Sequence, residues 1–136
     1  MASERPDPEA VDPRLGRHGG ISYMHIPALD VRRAAAFYGA VLGWTIHNGD
    51  SDRPGFEDGG RHVGGAWVTS QEIAREPGLL PYIYVDDIDA AVERVGANGG
   101  DVVRSPYPEG NLLVATFHDS EGNVLGLWQA QPSAGG

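Results

Sequence analysis

The chain has 136 residues, 40% of them hydrophobic and 21% charged, which supplies one hydrophobic core and not two independent ones. A formal net charge of −9 repels phosphate backbones, and no apolar run reaches the length of a bilayer span, so neither nucleic acid nor membrane is expected as a partner. There is no cysteine, hence no disulfide and no thiolate chemistry, and all ten basic residues are arginine, which removes a lysine Schiff base.

Residues 1–18 are rich in Pro, Asp, Glu and Arg without periodicity and read as a disordered lead-in. They lack the basic-then-apolar pattern of a secretory leader, so a cytoplasmic protein is expected. A single domain is expected over 19–131, with 132–136 as a flexible tail. Within it, "ISYMHIPAL" is strand-like, and "DVRRAAAFYGAVLG" is a helix opened by Asp30 as N-cap, with Val31, Ala34, Ala35 and Tyr38 on one face. "WTIHN", "PGFED" and "RHVGGAWVT" follow as short strands between Gly, Asp and Pro punctuation. The order then starts again: strand "LPYIYVD", helix "DIDAAVERVGANGG", and strands "DVVRS", "NLLVATFH" and "NVLGLWQ".

Laying the chain on itself supports that repetition. At an offset of 57, Asp30 meets Asp87, Ala34 meets Ala91 and Gly43 meets Gly100; at an offset of 61, Asp58 meets Asp119, Gly65 meets Gly126 and Trp67 meets Trp128. The four-residue change between offsets reads as one loop insertion. The expected fold is α+β: two βαβββ modules, about 20–70 and 78–130, related by an internal pseudo-twofold, with open curved sheets enclosing a pocket.

Paired modules of this kind, with "D…AAAFYGAVLGW" in the first half and "VDDIDAAVERV…GG…HDSEGNVLGLWQ" in the second, resemble the vicinal oxygen chelate superfamily of glyoxalases, bleomycin-resistance proteins and extradiol dioxygenases. The resemblance implies a metal site in some members, with one ligand from the first strand and one from the last strand of each module. Counting seven residues back from Asp30 and Asp87 reaches Tyr23 and Leu80. Counting three beyond Asn123 reaches Gly126, and the repeat carries this to Gly65. A divalent ion needs several N or O donors at about 2 Å, so no metal and no other cofactor is expected.

Period-2 alternation instead places Tyr23, His25, Leu80, Tyr82 and Tyr84 toward the pocket, with Trp67 beside Gly65 and Trp128 beside Gly126. These are the candidate ligand-binding residues, joined by His118, whose face alternation does not assign. On this reading the two glycines open space between flat aromatic walls for a planar ligand. The function expected is that of the bleomycin-resistance branch: metal-free sequestration of a small aromatic or natural-product molecule, a cationic one suiting the acidic chain, by a homodimer. The alternative is a lyase or isomerase in which His25 and the pocket tyrosines move a proton, with or without a relocated metal.

Overall fold

A computed structural model describes residues 12–76 and 78–131. The elements run β1 (Tyr23–Pro27), α1 (Val31–Leu42), β2 (Thr45–His47), β3 (Gly55–Glu57), β4 (Gly64–Val68), β5 (Tyr82–Tyr84), α2 (Ile88–Ala97), β6 (Asp101–Glu109), β7 (Leu112–His118) and β8 (Val124–Ala130). They form two four-stranded open sheets, in the orders β1-β4-β3-β2 and β5-β8-β7-β6, so the fold is α+β with two like modules. Each sheet is mixed: β1–β4 and β5–β8 are parallel and the other pairs antiparallel. Of the expected lead-in, residues 1–11 lie outside the described residues, as do 132–136. Residues 12–18 are not structureless, since Leu15 and Gly16 donate to the carbonyl of Asp12 and Arg17 reaches the carbonyl of Ile21.

The helices start where the aspartates predict. The Asp30 carboxylate accepts from the N–H groups of Arg32 and Arg33, Asp87 accepts from that of Ala90, and Gly43 ends α1 in a left-handed conformation. Ala34, Ala35, Phe37, Tyr38 and Val41 are the buried face of α1, and Ile88, Ala91 and Val95 that of α2. Both faces enter one core that includes Ile26, Phe56 and Trp67 from the first sheet and Ala115, Phe117, Leu125 and Leu127 from the second. Beneath α1 the aromatic rings follow one another from Tyr38 to Trp44 (4.9 Å), Phe56 (4.7 Å) and Trp67 (4.9 Å). The inner faces of both sheets share this core, and their opposite faces are left outward.

A turn at residues 119–123 locks the modules together. Asp119 is 2% exposed and accepts from the Tyr38 hydroxyl at 2.6 Å and from the backbone of Glu121 and Asn123. Glu121 is 3% exposed and takes the N–H groups of Leu29 and Asp30 together with the Arg33 guanidinium at 2.8 and 3.0 Å. The Asn123 amide donates to the carbonyl of Pro27 and accepts from the N–H of Ala74. Burial works against the charge on Glu121, but the hydrogen bonds from Arg33, Asp30 and Ser120 outweigh it and hold the carboxyl below its ordinary range.

The repeat is real, but its phase differs from the sequence reading by one residue. His25 pairs with Ala66 and its counterpart Tyr82 pairs with Gly126, so the equivalent of Gly126 is Ala66, at an offset of 60. The slip arises in the turn before the last strand. Asp58 and Asp119 each accept from the backbone across their turns, but the first turn closes with Asp58 N–H on Val63 and the second with Asp119 N–H on Asn123, one residue sooner. Because alternate residues of a strand point to opposite faces, that residue turns Gly65 and Trp67 inward. Trp67 is 3% exposed in the core, and its indole N–H has no hydrogen-bond partner among the described residues.

Two stability measurements follow. Trp67→Ala should cost about 3–5 kcal/mol and Trp67→Phe much less, there being no indole hydrogen bond to lose, whereas Trp128→Ala on the outer face should cost about 1 kcal/mol; thermal melts of the three variants check this. Glu121→Gln should cost about 2 kcal/mol at pH 7. Because the folded-state pKa of Glu121 is depressed, its contribution is complete above the unfolded value of about 4.3 and fades as pH falls through the folded value, so the gap between wild type and Glu121→Gln should narrow on acidification.

Candidate functional site

The outer faces of the two sheets differ in chemistry. On the first, register places His25, Ala66, Gly55 and His47 in one row and Tyr23, Gly64, Glu57 and Thr45 in the next. Tyr23 is 63% exposed and lies edge-on to the His25 ring at 5.5 Å. Glu57 is bridged by Arg61 at 3.2 Å and His47 at 3.5 Å. Small residues make up the middle of this face, with polar groups around them.

The second outer face is aromatic. Tyr82, Gly126, Thr116 and Arg104 form one row, and Tyr84, Trp128, Val114 and Tyr107 the next. Tyr82 and Tyr84 are each about half exposed, and Tyr84 meets Trp128 edge-to-face at 5.0 Å. The Asp86 carboxylate, hydrogen-bonded to the Tyr84 hydroxyl, raises that phenol's pKa above its ordinary value. In the following row, His118 lies on this same face beside Asp101, 3.9 Å away, across from Val124.

Of the residues expected to line one pocket, the structure brings together Tyr82, Tyr84, Gly126, Trp128 and His118 on the second sheet, and Tyr23 with His25 on the first. Leu80 precedes β5 and is half-buried. Gly65 and Trp67 leave the set, for the register reason given above. The glycines also serve a different purpose from the gap expected. A Cβ at Gly126 would overlap the Tyr82 ring, and one at Gly65 would overlap both the Met24 carbonyl oxygen on the neighbouring strand and the Phe56 ring, so Gly126 seats a ring of this chain itself and Gly65 admits a ring and a close strand backbone. His25 makes no hydrogen bond or ring contact with Tyr82 or Tyr84 among the described residues.

The donor set does not fit the metal implied by the superfamily resemblance. With the phase corrected, the four ligand positions are Tyr23, Ala66, Leu80 and Gly126, and only the Tyr23 phenol offers a side-chain donor. Among the described residues, no three His, Asp or Glu side chains gather as a metal-holding group elsewhere.

Sequence reasoning missed Arg104, Tyr107, Val114 and Thr116. Arg104 and Tyr107 are three residues apart and would take opposite faces of a regular strand, yet the guanidinium carbon lies 3.5 Å over the tyrosine ring centroid. Register shifts on either side of Arg104 bring them together. The sole hint in the sequence is the pair of prolines in "RSPYPE", which mark an irregular edge strand.

Known proteins share this architecture. The antibiotic binding protein TnmS3 from Streptomyces sp. CB03234 superposes with a TM-score of 0.62 at 24% identity, covering 82% of this chain and 95% of that one. The fosfomycin resistance protein FosX from Mesorhizobium loti gives 0.66 at 23% identity, covering 82% and 92%. In sequence, a glyoxylase-like domain-containing protein of Didymella fabae is 37% identical over 116 residues, 79% of this chain and 91% of the relative. The Mycobacterium tuberculosis protein CFP32, named as a proposed glyoxylase, is 29% identical over 132 residues, and the chain spans about half of its length. The profile of the Glyoxalase-like domain matches residues 23–127, the span from the first residue of β1 almost to the end of β8. With that profile covering most of the chain, and a relative of this identity matched along nearly its whole length, the protein belongs to the glyoxalase-like domain family.

Proposed function

We propose that this protein binds a small aromatic molecule on the outer face of its second sheet and sequesters it without chemical change. The observation that carries the reading is the surface formed by the half-exposed Tyr82 and Tyr84 and the partly buried Trp128, three ring systems on adjacent strands of the outer face. Flat ligands stack on such rings, and each good stack contributes about 0.5–1.5 kcal/mol beyond area burial. The antibiotic-binding and fosfomycin-resistance proteins among the structural relatives support small-molecule binding as a use of this fold. The unsuitable donor set argues against chemistry that needs the superfamily's metal in its usual place.

The same reading includes a homodimer. The strands β1 and β5 each have one unpaired edge, and around them stand exposed apolar side chains: Ile21 at 74%, Tyr23 at 63%, Leu29 at 67% and Leu79 at 89%. Pairing of two copies along these edges would cover both the open backbone groups and the apolar surface. Light scattering at micromolar concentration should then give about twice the 14.5 kDa mass of the chain. A monomeric mass would refute the pairing.

Ligand binding is tested with a neutral planar probe, 2-naphthamide, titrated calorimetrically into wild type and Trp128→Ala. Saturable binding is expected, weakened about three- to tenfold by the substitution while the melting temperature changes little. Absence of saturable binding by the probe, or full affinity in Trp128→Ala, would overturn the proposal.

A further inference from the structure

The second outer face has the carboxylates Asp86, Asp101 and Glu109 at its margins and the Arg104 guanidinium against its rings. Although the net charge is −9, the ionised side chain that lies against a ring of this face among the described residues is Arg104, its guanidinium stacked 3.5 Å over Tyr107. Two irregularities of β6 create this placement. Val102 pairs with Phe117 on the core side, so two residues later a regular strand would return Arg104 to that side. The first shift pairs Arg104 with Thr116 on the outer face, and the second pairs Tyr107 with Val114 on the same face. A strand interrupted twice within six residues gives up ladder regularity, and what it gains is this one cation on the aromatic surface.

Stacking occupies the face of a guanidinium and leaves its N–H edge free, the edge that matches a carboxylate in a two-pronged hydrogen bond. No carboxylate forms an ion pair with Arg104 among the described residues. Glu109 is taken up by the Tyr107 hydroxyl at 3.2 Å. Thr116, opposite Arg104, and Gly126, beside Thr116, lead across the sheet to Tyr82, so a flat body resting on Tyr82 lies in the row that holds Arg104, whose guanidinium reaches over Tyr107 in the neighbouring row.

Resting on the binding reading above, the geometry points to Arg104 as the specificity-determining residue of this face and to a planar aromatic carboxylate as the class of ligand it selects. A cationic ligand, which the overall acidity of the chain suggests, would be repelled where it met the guanidinium resting on the rings. Local charge at contact distance outweighs net charge spread over the surface, because exposed charges beyond roughly 8–10 Å are largely screened at physiological salt.

The test compares 2-naphthoate with its neutral isostere 2-naphthamide, by calorimetry at low and physiological salt, on wild type, Arg104→Met and Arg104→Lys, with melting temperatures recorded for each. Wild type should bind naphthoate about tenfold more tightly than naphthamide, the gap narrowing as salt rises. Arg104→Met should erase the gap by bringing naphthoate affinity down to that of naphthamide, and Arg104→Lys should keep only part of it, since a lysine lacks the planar fork. Equal affinities in wild type, or a naphthoate preference that survives in Arg104→Met, would overturn this inference while Trp128-dependent naphthamide binding still upheld the binding reading. If neither probe binds, both fall together. The wild-type comparison decides the matter even if the Arg104 variants fold poorly.

Discussion

Everything in this molecule hangs on the buried polar turn at residues 119–123. Asp119, Glu121 and Asn123 are each nearly inaccessible, and each makes a hydrogen bond across the boundary between the modules. Tyr38 of α1 donates to Asp119, the entry to α1 donates to Glu121, and the end of β1 accepts from Asn123. Buried carboxylates are costly unless every oxygen is satisfied; the turn's own N–H groups satisfy one oxygen of Asp119, and the hydroxyl of Tyr38, the N–H groups of Leu29 and Asp30 and the Arg33 guanidinium, which only the correct packing of one module on the other supplies, take the rest of the burden. The turn therefore acts as a registration device for the two halves, beyond its role as a link between two strands.

The layout of the functional surface is a consequence. Because the clamp draws the helices and the inner sheet faces into one core, both outer faces are turned away from it, and what each can do depends on the side chains that strand pairing puts there. The first sheet offers a small-residue middle surrounded by Tyr23, His25, His47 and the Glu57–Arg61 pair. The second offers tyrosines, a tryptophan and one stacked arginine. Duplication has supplied the same backbone twice while the two surfaces have taken different chemical characters.

The sequence already contained the two modules, both helices with their aspartate caps, the separation of the family's ligand positions from any metal donor set, and the aromatic nature of the β5 and β8 residues. These are local properties: a capping carboxylate bonds N–H groups two or three residues away, and a heptad-like spacing needs no partner to be recognised. The "DSEGN" stretch was legible as a signature, but its work as the clamp was not, since its partners lie up to 96 residues away in the chain.

What only the tertiary structure decided is which face each strand residue occupies. Trp67 and Trp128 match when the chain is laid on itself, yet one is core and the other surface, because the turn before β4 holds one residue more than the turn before β8. Arg104 and Tyr107 look mismatched by alternation, yet they stack, because β6 shifts register beside them. Gly126 looked like room for a ligand and is the seat of the Tyr82 ring. The physical reason is common to all three. Side chains alternate with a period of two, so one inserted residue exchanges inside for outside, and insertions of that size are set by turn and ladder geometry that composition and periodicity do not record.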